Sequence, residues 1–299
     1  DQLQQGIDQQ FARPRGVLHH GGQRRVRETR HRRAVKADHC DVLRDSQAVF
    51  LERMHRSNRD QVTGGKDRID FLQGLVTNDL RHLESGPIYA ALLTAQGKYL
   101  ADFLLIGDGD SVLLDVAASH GPALAQRLSM YRLRADVTIT QTDLQMRRGI
   151  GPAPDGAVTD PRHPALGWRL YGSETGDDGT DWDALRVAHL IPETGIELTP
   201  ETYILEAGFE RLHGVDFRKG CYVGQEVTAR MKHKTELKKG LTRLAIDGTA
   251  PPGTEILLGD KPAGTVFTQA NGQALAQMRF DRIAPDLSAG TARLGPLPE

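Results

Sequence analysis

The residues best suited to chemistry lie in the run K-G-C-Y-V-G-Q-E at residues 219–226. Two glycines bracket its cysteine and tyrosine, which suits a backbone that turns sharply or lets another molecule approach closely. Arg218, Lys219 and Arg230 place positive charge near the thiol, and positive neighbours favour the reactive thiolate. The run therefore predicts a reactive Cys221, although a buried, inert cysteine is the alternative that spacing alone leaves open.

Only one other cysteine, Cys40, occurs in the 299 residues. The two cysteines are far apart in sequence, and neither belongs to a C-x-x-C pair or to a Cys/His spacing of the zinc type. The sequence therefore predicts no disulfide framework and no metal site that spacing would reveal.

Charge is unevenly distributed along the chain. Residues 1–60 carry 13 basic and 8 acidic side chains, whereas residues 61–299 carry 25 and 31. Because a body of negative sign is poorly suited to hold a nucleic-acid backbone, we expect no direct nucleic-acid binding. No window approaches the ~18 uninterrupted apolar residues of a membrane helix, and no secretory signal is recognisable, so an intracellular protein away from membranes is expected.

The first sixty residues show neither strand nor helix periodicity in their apolar residues, and residues 24–33 read R-R-V-R-E-T-R-H-R-R. They predict a basic extension that is disordered or lies upstream of the true start. A basic arm for RNA is the alternative, with four histidines as possible metal contacts: His19, His20, His31 and His39.

Regular elements are predicted from about Gln61 onward. Apolar spacing predicts a helix capped by Asp67 and running to about Leu80. A second helix is expected to begin at a Ser119 cap. Turn signals and β-branched residues predict strands between and after these helices, at 90–93, 99–106, 112–116 and 137–140.

The second half of the chain reads as a further mixed region followed by short strands. The glycine- and proline-rich stretch 149–164 predicts a long loop between two subdomains. A strand at 168–171, a helix capped by Asp181 and another helix from Pro200 to Gly214 are expected after it. From about Leu241, short strands separated by turn signals predict a small antiparallel barrel.

These motifs resemble the YgfZ branch of the glycine-cleavage T-protein (GcvT) superfamily, folate-binding proteins that support iron–sulfur enzymes. The branch signature is similar to K-G-C-Y-x-G-Q-E, which residues 219–226 match in full. Three further segments agree in the same order: F-L-Q-G-L-V-T-N-D at 71–79, L-T-A-Q-G-K at 93–98 and L-E-A-G at 205–208. The resemblance runs from about Val62 to the C-terminus.

The resemblance implies an α+β fold with a central tetrahydrofolate pocket. A GcvT-like folate-binding ring of mixed α/β subdomains would occupy residues 61–238, with its two subdomains joined near 149–164. A small C-terminal antiparallel β-barrel would occupy residues 239–299, and residues 1–60 would precede the ring. The implied cofactor is tetrahydrofolate or a one-carbon derivative of it.

The resemblance also implies roles for individual residues. Glu206 would hold the pterin ring, since a carboxylate can accept two parallel N–H bonds. Asp102 would assist the folate chemistry, although the paired aspartates of the true aminomethyltransferase are missing. Arg169 and Arg230 would meet the glutamate tail of the folate, and each is equally suited to an ordinary ion pair. Four side chains of the octapeptide complete the expected cofactor contacts: Lys219, Tyr222, Gln225 and Glu226.

The function implied is that of a tetrahydrofolate-binding accessory protein for iron–sulfur cluster assembly or repair, acting through Cys221. Its partners would be iron–sulfur enzymes or cluster carriers, with enzymes that modify tRNA among the clients. It would work in the cytoplasm, or in the mitochondrial matrix if the source is eukaryotic. The alternative is a folate-dependent aminomethyltransferase, in which Asp102 is the catalytic acid or base and Cys221 is incidental; whether the protein is an enzyme stays open.

Overall fold

A computed structural model describes residues 61–234 and 236–298 of the chain. The basic extension expected at residues 1–60 lies outside this described part. None of the described helices combines the length and the apolar character that a membrane crossing requires.

The first sheet contains five antiparallel strands: β1 Gln61–Gly64, β2 Ile88–Leu93, β3 Tyr99–Asp108, β4 Ser111–Val116 and β5 Thr138–Gln141. Their order in the sheet is β2-β3-β4-β1-β5. The four strands that turn signals and β-branched residues predicted are confirmed as β2 to β5, with ends shifted by at most two residues. Strand β1 completes the sheet between β4 and β5.

The first helix, α1 Arg68–Gln73, is much shorter than the helix expected from 67 to 80. After α1 the chain turns back toward the sheet, where Val76 forms an antiparallel bridge with Leu92. A 3₁₀ helix, Leu80–Ser85, follows. The apolar spacing was read correctly as a buried face, but pairing with the sheet replaces the last helical turns.

Two of the expected helix caps are wrong. Helix α2 spans Gly121–Tyr131, and the Ser119 hydroxyl bonds to His120 Nδ1 at 3.0 Å instead of capping it. The Asp67 carboxylate accepts from the backbone amide of Asp136 at 2.8 Å, so it fastens the start of α1 to the chain before β5.

The second sheet contains four short strands: β6 Gln145–Gly149, β7 Val158–Thr159, β8 Trp168–Gly172 and β9 Gly176–Asp177. Their order is β7-β8-β6-β9, and only the β6–β9 pairing is parallel. The strand predicted at 168–171 is confirmed as β8. Helix α3, Trp182–His189, begins at the predicted cap, where the Asp181 carboxylate accepts from Ala184 N at 2.9 Å.

The helix expected from Pro200 to Gly214 is wrong, because this segment is a series of turns. Gly208 has a φ of +81°, in the left-handed region that interrupts an α-helix. The apolar residues of the segment are nevertheless buried as expected: Ile204, Ala207 and Leu212. Helix α4, Gln225–Lys234, was missed, since Thr228 is its one buried residue and its sequence offers no apolar face.

The C-terminal part forms the expected barrel from six strands: β10 Lys239–Asp247, β11 Glu255–Leu258, β12 Lys261–Ala270, β13 Gln273–Arg279, β14 Leu287–Ala289 and β15 Ala292–Gly295. They close in the order β10-β13-β12-β11-β14-β15, and all pairings are antiparallel. Apolar side chains such as Ile256, Val266 and Met278 fill the interior, which makes it a packed core.

Strand β2 is buried on both faces. Its six residues are all buried, and consecutive side chains point to opposite sides of the sheet. Ile88, Ala90 and Leu92 enter the cluster beneath α1 and α2. Tyr89, Ala91 and Leu93 enter the cluster with α3 and the turns after residue 200. The sheet is therefore the wall between two hydrophobic cores.

Candidate functional site

Cys221 lies on an exposed loop between the turns after residue 200 and helix α4. Its thiol is free, and the residue is exposed. The buried, inert cysteine that spacing left open is therefore excluded. Gly220, directly before it, has no neighbouring heavy atom within 4 Å of the position that a Cβ would take. The loop is thus open to another molecule at Gly220 and at Cys221.

Lys219 holds this loop against the segment at the end of α1 and just after it. Its buried ammonium group donates to three backbone carbonyls, of Gln73 at 2.8 Å, Val76 at 2.6 Å and Asn78 at 2.9 Å. Burial lowers the pKa of Lys219 to about 8, while the nearby carboxylates, chiefly Asp79, act in the opposite direction. With its three donors committed to the protein, Lys219 is an anchor of the loop, and the cofactor contact expected of it stays a prediction without geometric support.

Tyr222 is the second anchor, on the other side of Cys221. Its ring is buried in the cluster that also contains Tyr89 and Trp182, and burial raises its pKa to about 12. The Lys219 ammonium lies 5.2 Å from the centre of this ring. The two anchored side chains hold the loop from both sides and leave the cysteine between them facing outward.

The other expected contacts of the octapeptide lie at the surface. Gln225 begins α4, and its side-chain amide donates to Gly220 O at 3.4 Å. Glu226 and Arg230 form an exposed ion pair at 2.7 Å, four residues apart on α4. Such a pair contributes little to stability. The structure therefore groups Arg230 with the cysteine loop and not with Arg169.

Gly224 lets the loop approach the β2–β3 turn. It has a φ of +83°, and an added Cβ would lie 2.6 Å from Thr94 O. Gly97, in the same turn, has a φ of +76°, and its added Cβ would lie 2.9 Å from the side chain of Val227. The second glycine of the octapeptide is thus required by a close backbone approach.

A separate cavity opens between the two sheets and α3, with about 680 Å³ of non-protein space when its mouth is counted. The side chains that characterise it are four arginines, three carboxylates and two aromatic residues: Arg148, Arg162, Arg169 and Arg186; Asp102, Asp115 and Glu193; and Tyr89 and Trp182. Cys221 and Glu206 do not line it.

Asp102 lies in this cavity on β3, as a nearly buried carboxylate. It accepts hydrogen bonds from three hydroxyl groups, of Tyr89 at 2.8 Å, Tyr99 at 2.6 Å and Thr194 at 2.5 Å. The burial of Tyr89 and its closeness to Asp102 raise the pKa of that hydroxyl, which therefore stays a donor. Asp102 is consequently a fixed hydrogen-bond acceptor in the cavity wall.

Arg169 also lines the cavity but is committed to carboxylates. Its Nη1 lies 2.5 Å from Asp115 and its Nε 3.0 Å from Asp160. Asp160 also binds Arg162, at 2.7 Å, and the two guanidinium groups hold the pKa of this buried carboxyl well below its usual range. The pairing that was the ordinary alternative for Arg169 is present, and its contact with a folate tail stays a prediction.

Glu206 lies at the joint between the ring and the barrel. Its carboxylate is 3.4 Å from the Lys239 ammonium on β10 and accepts from Gln277 on β13 at 3.3 Å. Burial raises its pKa, and Lys239 opposes this shift. These contacts make Glu206 a link to the barrel, so the pterin-binding role expected of it stays a prediction that the cavity lining does not support.

Five of the cavity residues were not predicted from the sequence: Arg148, Arg162, Arg186, Glu193 and Trp182. Adjacent arginines in β6 carry no signal that separates an inward from an outward side chain. Chain folding alone brings these residues together.

One group of possible metal ligands is found in the described part of the chain, formed by Asp79, His82 and Asp216, whose ligand atoms lie within 4.8 Å of one another. The Asp79 carboxylate is already held by the Arg81 guanidinium and by Gln73. These bonds lower the pKa of Asp79 and engage both of its oxygens, so Asp79 has no unengaged oxygen to offer an ion.

We expect Gly224→Ala to destabilise the protein by about 2 kcal/mol or more, because the new Cβ meets Thr94 O and the backbone stays at positive φ. Urea denaturation would measure the change. Gly220→Ala is the matched control on the other side of Cys221 and should shift the free energy of unfolding by less than ~0.5 kcal/mol. Equal effects of the two substitutions would contradict the close approach described for Gly224.

We expect Lys219→Met to lower the free energy of unfolding by about 3 kcal/mol, since buried carbonyls lose their donors at ~1–3 kcal/mol each. Hydrogen exchange of residues 219–224 should become faster at the same time. The control is Arg218→Met, because Arg218 is exposed and adjacent. Unchanged exchange in the Lys219 variant would show that the loop does not depend on this anchor.

Comparison with known proteins agrees with this architecture. Residues 238–299 match the family model described as the CAF17 C-terminal beta-barrel domain. The fold is similar to that of the glycine cleavage system aminomethyltransferase T from Bartonella henselae, with a TM-score of 0.64 at 13% identity over 82% of this chain and 87% of that one. The expected GcvT-like α+β fold with a C-terminal barrel is therefore confirmed.

The sequence relatives carry one function in their names. The mouse iron–sulfur cluster assembly factor IBA57, mitochondrial, is 31% identical over 258 residues, which are 72% of this chain and 70% of the mouse protein. The homolog from Mycosarcoma maydis is also 31% identical, over 64% of this chain and 56% of that protein, and the human protein is 29% identical over 72% and 70%. The chain thus spans little more than half of the fungal relative. On the mouse alignment, this chain belongs to the family of the IBA57 iron–sulfur cluster assembly factors.

Proposed function

We propose that this protein acts in the assembly or repair of iron–sulfur clusters through Cys221, and that it binds tetrahydrofolate or a one-carbon derivative in the cavity. The observation that carries the first part is the geometry of Cys221, an exposed free thiol held between two buried anchors. The names of the relatives support the same class of function.

Cys221 would share a cluster with a partner. An iron–sulfur cluster normally takes four protein ligands, and the described part of this chain contains one cysteine. The remaining ligands would come from a cluster carrier or from the iron–sulfur enzyme that receives the cluster. An exposed thiol on a rigid loop suits this transfer, because the partner can approach without unfolding the loop.

The cavity residues fit tetrahydrofolate by their chemistry. Tyr89 and Trp182 make part of the cavity wall aromatic. Glu193 is a half-exposed carboxylate with one oxygen 2.9 Å from Arg186 Nε, and its other oxygen is able to accept from an amino-pyrimidine edge. When bound, tetrahydrofolate supplies a carrier for a one-carbon group. Asp102, with its three hydroxyl donors, would offer the ligand a fixed acceptor in the cavity wall.

A folate-dependent aminomethyltransferase is the second candidate. It is supported by the fold of the bacterial aminomethyltransferase and by the position of Asp102 inside the cavity. It would leave Cys221 without a role. Activity with an aminomethyl-lipoyl carrier that is lost in Asp102→Asn and kept in Cys221→Ser would establish this alternative.

The partners would be iron–sulfur enzymes and cluster carriers, with enzymes that modify tRNA among the possible clients. The relatives named above are mitochondrial proteins by their names, which fits the matrix as the compartment for a eukaryotic source.

We expect Cys221→Ser to abolish the rise in iron–sulfur enzyme activity that this chain gives to cells lacking their own factor of this family. The serine keeps the size of the side chain but supplies no thiolate for the cluster. Cys40→Ser, which changes the other cysteine, is the matched control and should keep the activity. Full activity of the Cys221 variant would refute the cluster role.

We expect calorimetry to show tetrahydrofolate binding that Glu193→Gln weakens about tenfold or more, since a hydrogen bond to a charged group contributes ~1.5–3 kcal/mol. Glu206→Gln, on the barrel side, should bind as the unchanged protein does. Loss of tetrahydrofolate binding in the Glu206 variant alone would support the sequence-based prediction that Glu206 holds the pterin ring. If tetrahydrofolate does not bind to the unchanged protein, folate is removed from the proposal.

A further inference from the structure

Three of the four arginines of the cavity have carboxylate partners. Arg162 lies 2.7 Å from Asp160, Arg169 lies 2.5 Å from Asp115, and Arg186 lies 3.1 Å from Glu197 and 2.9 Å from Glu193. Their charges are therefore neutralised by the protein itself. An incoming anion would have to compete with a buried carboxylate at each of these positions.

Arg148 differs from them. Within residues 61–234 and 236–298, its side chain makes no hydrogen bond and no ion pair, and its guanidinium lies 4.0 Å from the centre of the Trp182 ring. The carboxylates of Glu193 and Asp177 act electrostatically on its guanidinium, but neither forms an ion pair with it within 4 Å. Among the described residues, Arg148 is thus the one cavity arginine whose guanidinium has no carboxylate in direct contact.

This guanidinium stays charged at neutral pH. Burial and the nearby Arg169 and Arg162 lower the pKa of Arg148 to about 10, while Glu193 and Asp177 oppose the shift. A desolvated cation without a counter-ion is costly, and an anion that enters the cavity would relieve that cost. Trp182 holds the guanidinium plane by stacking, so its N–H donors are prepared for a bidentate acceptor.

We propose that Arg148, stacked on Trp182, is an anion-binding subsite of the cavity, and that the ligand of this protein carries a carboxylate or phosphate group that pairs there. For tetrahydrofolate this proposal rests on the proposed function, because the group would be a carboxylate of the glutamate tail. Arg148 then replaces Arg169, which is already paired with carboxylates, as the residue expected to contact the glutamate tail. The pairing of an anion with Arg148 does not itself depend on which ring system the ligand carries.

The neighbouring residue provides a matched control. Arg147 and Arg148 are consecutive on β6, so their side chains point to opposite faces of the sheet. Arg147 lies outside the cavity lining and pairs with Glu174 at 2.8 Å. Removing either charge changes the net charge of the protein equally, but only Arg148 would remove the subsite.

The first experiment is calorimetric titration of tetrahydrofolate and of 6-methyltetrahydropterin, which has a similar ring and no anionic tail. Arg148→Gln should weaken tetrahydrofolate binding about tenfold or more and leave binding of the pterin unchanged. Arg147→Gln should change the binding of neither ligand. Arg148→Lys keeps the charge and should therefore keep part of the affinity for tetrahydrofolate. Equal weakening of both ligands by Arg148→Gln, or weakening of neither, would overturn the assignment.

A second titration separates this proposal from the folate proposal. Glutarate and inorganic phosphate are added separately to the unchanged protein and to Arg148→Gln, and tryptophan fluorescence reports on Trp182. A saturable change with either anion that the variant loses would support the anion subsite even if tetrahydrofolate does not bind. No response to either anion, together with no tetrahydrofolate binding, would overturn the subsite.

Discussion

The burial of strand β2 on both faces is the constraint on which the two candidate sites depend. Its residues alternate between two hydrophobic cores, and each fully buried leucine contributes ~1.5–3 kcal/mol. On one side, Val76 pairs with Leu92 and thereby fixes the carbonyls that receive Lys219. On the other side, Tyr89 reaches Asp102 in the cavity wall. A shift of β2 by one residue would exchange the two faces and remove both arrangements.

Lys219 shows how the octapeptide couples a structural charge to an exposed thiol. Burying an ammonium group costs several kcal/mol, and hydrogen bonds to a charged donor contribute ~1.5–3 kcal/mol each. Its three carbonyl acceptors offset the cost only when all of them are in place, so the contact selects one position of the loop. An apolar side chain could fill the same space but would leave the carbonyls unsatisfied. The positive residue beside the cysteine, which seemed from the sequence to activate the thiol, therefore positions it.

The sequence predicted the features that depend on local chemistry. Alternating apolar residues, turn residues and the Asp181 cap located strands, hairpins and α3, and the octapeptide located the exposed cysteine. The predictions from the sequence failed where contacts between residues distant in sequence determine the local structure. Pairing of Val76 with β2 ended α1 early, Gly208 at positive φ broke the expected helix after Pro200, and Arg148 was indistinguishable from its neighbour Arg147. Glu206 was singled out by a four-residue match, which is too short to fix which side of the ring a carboxylate faces.

The cysteine loop and the cavity are distinct in space but share one hydrophobic cluster. Tyr222 packs in the same cluster as Tyr89 and Trp182, and these two residues also line the cavity. A ligand in the cavity would bind only the folded ring, and such binding stabilises the whole cooperative unit by mass action. Occupancy of the cavity would thus make the Cys221 loop harder to unfold without any change in its conformation. This linkage requires no signalling path between the sites, since it follows from their common core.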